Sequence, residues 1–155
     1  MENNELKIVP YTKDEIPAVV QFEKDLRAEE DVWGWEIDDA YVKTVKESFE
    51  SSAFDSAVSF VAYMDGKVVG RIDASMICSR FAGEQSAYLD WICVLKSYRH
   101  KGIGQALLEE LKKALKEKGI TLLVALTAAN DEAQSFYKSI PDSAMHDVGI
   151  WIDIK

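Results

Sequence analysis

Ala87-Tyr88-Leu89-Asp90-Trp91-Ile92-Cys93-Val94 runs into the basic turn Leu95-Lys96-Ser97-Tyr98-Arg99-His100-Lys101 and then into Gly102-Ile103-Gly104-Gln105, so the chain changes character twice in a short span. The first run is apolar almost without interruption, which suits a central strand covered on both faces. Beyond Gly102, the residues Ile103, Leu107, Leu108, Leu111, Ala114 and Leu115 recur at helical spacing, and Lys116-Glu117-Lys118-Gly119 ends the pattern with basic residues and a glycine. Ile120 to Leu126 reads as a second buried strand. A strand-helix-strand unit over 87–126 predicts a right-handed crossover.

Upstream, Leu6 to Val9 alternates before Pro10 and predicts a short first strand. Thr12-Lys13-Asp14-Glu15 has the form of a capping box, and Ile16, Val19, Val20 (or Glu23) and Leu26 continue a helix to about Glu30. A second helix, capped by Asp38 or Asp39, carries Tyr41, Val42, Val45 and Phe49 on one side. Val58 to Tyr63 and Val68 to Ala74 alternate around Asp65-Gly66, the strongest short hairpin signal. Downstream, Asn130 or Asp131 caps a short helix to about Lys138, and Val148 to Ile154 alternates as a closing strand. The expected fold is a mixed α/β domain: one unit over residues 1–155, with a mostly antiparallel central sheet flanked by helices.

Composition narrows the function classes. At 155 residues the chain suits one substantial core, and a formal charge of -9 disfavours nucleic-acid phosphates as partners. Apolar runs such as Leu122 to Leu126 are far shorter than the roughly 20 residues of a membrane helix. Met1-Glu2-Asn3-Asn4-Glu5 is acidic where a secretory signal starts basic, so the expected compartment is the cytoplasm. Cys78 and Cys93 lie in strand-like runs without metal-ligand spacing, which predicts buried thiols, no metal site and no nucleophile.

The chemistry concentrates at Arg99-His100-Lys101-Gly102-Ile103-Gly104-Gln105. A helix start presents unpaired backbone N–H groups and partial positive charge, a ready site for a pyrophosphate, and the two glycines permit close approach. The stretch lacks the third glycine of a dinucleotide fingerprint, where Leu107 stands, and the Gly-Lys-Ser/Thr ending of a P-loop.

Val94 to Gly104 resembles the GNAT-type N-acetyltransferases, whose signature is Arg/Gln-x-x-Gly-x-Gly/Ala after a strand ending in Val. Asn130-x-x-Ala133-x-x-Phe136-Tyr137 resembles a second element of that family. The resemblance implies acetyl-CoA as co-substrate, with Ile92, Cys93 and Val94 facing pantetheine. It assigns His100, Lys101, Gly102, Ile103, Gly104 and Gln105 to the pyrophosphate and Asn130 to the cofactor, while Arg99 adds a cationic group beside the same point. Tyr137 resembles the family's general acid, which protonates the departing thiolate. Asn130 and Tyr137 lie about two helical turns apart, so both face one groove. In members that acetylate protein N-termini a glutamate often stands where this chain has Ala125. The family's usual Gly-Phe pair after the tyrosine is replaced by Lys138-Ser139-Ile140-Pro141-Asp142.

The expected activity is direct attack of a neutral primary amine on the thioester, since no Cys-His or Ser-His pair points to a covalent intermediate. An ammonium of pKa about 10 needs a base. Asp90, two positions before Ile92 and so on the same strand face, is the first candidate and Asp73 the second. The loop between the first two helices carries Glu29, Glu30, Asp31, Glu36, Asp38 and Asp39 beside Trp33 and Trp35, a setting for a polyamine, aminoglycoside or amino-acid-like cation. Two alternatives stand beside this reading: a non-catalytic acyl-CoA-binding regulatory module, and an acetyltransferase acting on a protein amine. The family resemblance also allows a homodimer.

Overall fold

The structure is a computed structural model that describes residues 5–32 and 34–155. Five strands form one sheet in the order β1 (Lys7–Pro10), β2 (Ala57–Met64), β3 (Lys67–Cys78), β4 (Gln85–Val94) and β5 (Leu123–Ala125). The first three pairings are antiparallel and β4 with β5 is parallel. The helices are α1 (Ile16–Glu29), α2 (Asp39–Ser48), α3 (Ile103–Glu117) and α4 (Asp131–Lys138). Asp65 and Gly66 turn the β2–β3 hairpin with φ of 53° and 77°, the left-handed pair that a two-residue hairpin loop requires.

Register sorts the side chains onto two faces, because residues directly opposite in a pair share a face. Gly70 stands against α3: a methyl built on it would meet Leu107 at 3.1 Å and Ile103 at 3.3 Å. Its partners Ala62 and Val94, and the next pairs of Ile72 with Phe60 and Ile92, therefore point to α3. Arg71 and Asp73, with their partners Cys93 and Trp91, point the other way, toward α1. Leu107 and Leu111 fill the α3 side, and Val19, Phe22 and Leu26 fill the α1 side, all fully enclosed. Burial on this scale, about 25 cal/mol per Å² of apolar surface, is what holds the sheet between its helices.

Three expectations change. Cys78 is exposed, near the end of β3, and Gln85 donates to its sulfur. The strand expected over Ile120 to Leu126 is only Leu123–Ala125, with Leu122, Val124 and Leu126 exposed, so it is an edge and not a buried core strand. Val148 to Ile154, which alternates, pairs with no strand among the described residues and exposes Val148, Ile150, Trp151, Ile152 and Ile154. Alternation specifies two faces, but a strand also needs a partner edge, which these residues lack here.

Candidate active site

A break in pairing creates the site. β5 pairs β4 only through Ala87, Tyr88 and Leu89, so beyond Leu89 the β5-facing edge of β4 is open. The N–H of Leu95 donates to Val69 on β3 at 2.9 Å. Antiparallel alternation then turns the main-chain N–H and C=O of Val94, and of Ile92 two residues earlier, into the opening. These groups lie at the start of the loop that leads into α3.

The same stretch contains a bulge. Asp73 pairs with Trp91 and Ala74 with Leu89, which leaves Asp90 as the extra residue. The expected face-sharing of Asp90 with Ile92 therefore fails: Leu89 takes the α3 face and Asp90 is turned out, exposed. Asp73, the second candidate base, accepts from Arg71 Nε at 2.7 Å. Arg71 also donates to Glu23, which in turn binds Arg27, so two acids and two guanidiniums neutralise one another between α1 and β3. Glu23, and not Val20, takes the buried place on α1.

The loop into α3 turns through two left-handed residues, His100 (φ 61°) and Gly102 (φ 78°). Gly102 is the N-cap and no side chain caps the helix, so the first amides of α3, on Ile103, Gly104 and Gln105, are left for a ligand. An open strand edge continuing into an uncapped helix start fits an extended pantetheine arm ending in a diphosphate. Gly104 is also constrained from the other side: a methyl there would meet the Phe136 ring at 3.2 Å, so this glycine lets α4 approach α3.

The cationic side chains of the loop are differently engaged. Arg99 donates to the Val94 carbonyl at 3.1 Å, to Glu132 at 3.1 Å and to Glu30, which ties β4, α4 and α1 together. Lys101 sits 4.8 Å from the Tyr98 ring centre, and His100 is exposed, 3.8 Å from Glu132. Glu29 accepts from the Ser97 N–H at 3.0 Å and its hydroxyl at 2.6 Å. Those hydrogen bonds, first from the hydroxyl and then from the amide, hold the Glu29 carboxyl below its ordinary value. Sequence reasoning placed Glu29 and Glu30 among acids facing an acceptor; the pairings with Ser97 and Arg99 span most of the helix-to-helix distance along the chain and leave no local signal. Asp38 is likewise engaged, capping α2 through the Tyr41 amide at 2.8 Å. Asp31, Glu36 and Asp39 remain exposed, and Trp35 stacks on Tyr41 at 6.3 Å. Trp33 lies outside the described residues.

Across the opening, Asn130 caps α4 by accepting from the Ala133 amide at 2.8 Å, and Tyr137 is half-buried beside Phe136. Burial, and then the charge of Tyr88, raise the Tyr137 hydroxyl above its ordinary pKa; burial and then Asp90 raise Tyr88. Burial pushes the Cys93 thiol up to about 11, so it stays protonated at neutral pH and is a poor nucleophile.

A hollow of about 380 Å³ beside β1, lined by Lys7, Glu15, Tyr63 and Asp65 among others, lies at the opposite edge of the sheet from these groups. Among the described residues no helix is long and apolar enough to cross a membrane.

Comparison with solved structures places the fold. An aminoglycoside acetyltransferase, meta-AAC0020, from an uncultured soil metagenomic sample, solved with sisomicin, matches with a TM-score of 0.81 at 21% identity over 99% of each chain. AAC(6')-Iy in complex with a bisubstrate analogue, CoA-S-monomethyl-acetylneamine, matches at 0.75 and 22% identity over 97% of this chain and 99% of that one. A ribosomal-protein-alanine N-acetyltransferase from Brucella melitensis biovar Abortus 2308 matches at 0.73 and 17% identity over 97% and 99%. No curated protein matches the chain by sequence. The model of the acetyltransferase (GNAT) family matches residues 14–140, which include the opened strand, the uncapped helix and α4. The chain belongs to that family and is an N-acetyltransferase.

Proposed function

We propose that this chain, acting as a single domain in the cytoplasm, transfers an acetyl group from acetyl-CoA to a primary amine of a small cationic acceptor by direct attack. The observation that carries the reading is the open main-chain edge of β4 beyond Leu89, continuous with the uncapped start of α3. Ile92, Cys93 and Val94 would line the pantetheine arm. His100 to Gln105 would hold the diphosphate through main-chain donors, with Arg99, Lys101 and Asn130 shaping the surroundings. Acetyl-CoA supplies the activated acetyl thioester. The CoA bisubstrate analogue bound to AAC(6')-Iy supports this choice of co-substrate.

The chain's own groups then divide the work. Asp90, exposed at the bulge, takes the proton from the incoming ammonium, directly or through water. The Val94 N–H, turned into the opening, polarises the thioester carbonyl. As the nitrogen–carbon bond forms and the carbon–sulfur bond breaks, Tyr137 gives its proton to the departing sulfur. A raised tyrosine pKa keeps that proton in place at working pH. The acceptor is read as a polyamine, aminoglycoside or amino-acid-like amine. Asp31, Glu36 and Asp39 supply exposed carboxylates, and sisomicin bound to a structural neighbour supports the aminoglycoside class.

Homodimerisation belongs to the same reading, because exposed Val148, Ile150, Trp151, Ile152 and Ile154 make an apolar strip that a second copy would cover. Sedimentation velocity tests it; a monomer at tens of micromolar excludes it. The activity is tested by following free thiol from acetyl-CoA against panels of polyamines, aminoglycosides, amino acids and peptides. Release that depends on a cationic amine is the expected result, and turnover only with peptides moves the acceptor to a protein amine.

A further inference from the structure

The end of α1 is built against the loop that leads into α3. Glu29, the last residue of α1, sends both carboxylate oxygens to Ser97, one to its amide and one to its hydroxyl. Ser97 is the centre of the short 3-10 turn Lys96–Tyr98 that links the open strand edge to the uncapped helix. Glu30, the next residue, takes the Arg99 guanidinium two residues further along that turn. Two adjacent acids on one helix end therefore grip alternate residues of one loop. Between them the loop passes from Val94, whose carbonyl Arg99 also holds, to the left-handed His100 and Gly102. Residues 95–99 are held at other points as well: Leu95 is fully buried with its amide on Val69, Tyr98 reaches Asp65 at 3.1 Å, and Arg99 also binds Glu132.

A carboxylate beside a diphosphate site is electrostatically unfavourable for the ligand, so its presence calls for a compensating use. The geometry supplies one. Bidentate acceptance from an amide and a hydroxyl fixes a turn in both position and rotation, and a loop ordered before binding avoids part of the ordering cost when the ligand arrives.

We propose that Glu29 is a positioning residue for the coenzyme, acting through Ser97 to hold the 95–101 loop in its ligand-ready shape. The inference rests on the acetyl-CoA reading above. It assigns Glu29 to coenzyme affinity and removes it from the acceptor-binding acids. Removing either partner frees the same turn, so the two deletions have one effect between them.

The test is calorimetric titration of CoA into the full chain, wild type against Glu29→Gln, Ser97→Ala and the double variant, with the melting temperature of each recorded. Glutamine keeps the length of the side chain but not its charge, and Ser97→Ala leaves α1 untouched, so a folding defect in one variant leaves the other informative. Each single variant is expected to bind CoA roughly tenfold more weakly, as for the loss of a charge-assisted hydrogen bond, and the double variant no more weakly than the worse single. Amide exchange over 95–101 is expected to quicken in all three while the strands of the sheet stay protected. Spermine, used as a cationic probe, is expected to bind all four proteins alike. Unchanged CoA affinity in both single variants overturns the proposal, as does full additivity in the double. A wild type that binds no CoA is a separate result: it removes the function reading itself and this inference with it.

Discussion

The Phe136 ring lies against the α-carbon of Gly104, where an added methyl would stand 3.2 Å from the ring edge. Gly104 is in the first turn of α3 and Phe136 is next to Tyr137 on α4, so this contact sets how far the tyrosine stands from the start of α3. Gly104→Ala tests it with opposing effects. Alanine gains roughly 0.5–1 kcal/mol of helix propensity, while the ring must yield by a few tenths of an ångström. The expected outcome is a melting temperature unchanged or slightly raised and a kcat lower by about five- to tenfold, since small misplacements of a catalytic group cost rate steeply. Equal loss of stability and rate would show that the contact serves folding alone.

Tyr137 carries a sharper expectation. Its pKa stands above 10.0 because burial, and secondarily Tyr88, disfavour the phenolate. A general acid is effective while protonated, so a raised value moves the alkaline fall of kcat upward, beyond the ordinary tyrosine range. Tyr137→Phe is expected to reduce kcat by about 10²-fold, to remove that alkaline limb and to leave CoA affinity unchanged. A variant with full activity would assign the proton to another donor.

Gly102 is required for a different reason from Gly104. At φ 78°, with nothing within 4 Å of an added methyl, its constraint is conformational and not steric contact. Gly102→Ala is expected to cost about 1–2 kcal/mol, seen as a melting temperature some 3–6 °C lower, and to weaken CoA binding because the amides it aims are those of the helix start. Gly102→Asn, which tolerates the left-handed region better, is expected to recover part of both.

Glu29 gives a pH-dependent check on stability. Its carboxyl is held below the ordinary 4.5, chiefly by the Ser97 hydroxyl and amide. A depressed acid contributes stability that is present above the unfolded value and is lost as pH falls through the folded one. The melting-temperature gap between wild type and Glu29→Gln is therefore expected to be largest at neutral pH and to close as pH falls through the lowered folded-state value. A gap that persists at low pH would mean that the carboxylate charge is not what holds the turn.

What was legible in the sequence follows distance along the chain. Asp65-Gly66, the α3 pattern from Ile103 to Leu115 and the Asn130 cap are local, and their outcome depends on residues a few positions away. The Ser97–Glu29 and Arg99–Glu30 contacts join residues far apart in the chain, so their acids read as free charges until the fold brings the partners together. The bulge at Asp90 escaped because a period of two presumes an unbroken ladder, and one extra residue reverses every face beyond it. Val148 to Ile154 failed in the opposite sense: its alternation is real, but no edge of the sheet receives it.

The two carboxylates considered as the base differ in their surroundings. Asp73 is committed to Arg71 at 2.7 Å in a partly buried group whose charges cancel, so its loss leaves Arg71 with Glu23 alone. Asp73→Asn is expected to cost about 1–3 kcal/mol of stability while the pH dependence of kcat/KM keeps its shape. Asp90 stands exposed at the bulge, with no ion-pair partner among the described residues. Asp90→Asn is expected to leave the melting temperature within about 1 °C and to lower kcat/KM by about 10²-fold near neutral pH, because an exposed residue contributes little to folding while a general base contributes 10²–10⁴ to rate. The deficit should shrink as pH approaches the ammonium's own pKa of about 10, where the free amine no longer needs a base. A deficit constant across that range would assign Asp90 to acceptor binding, and a full rate would return the proton to solvent.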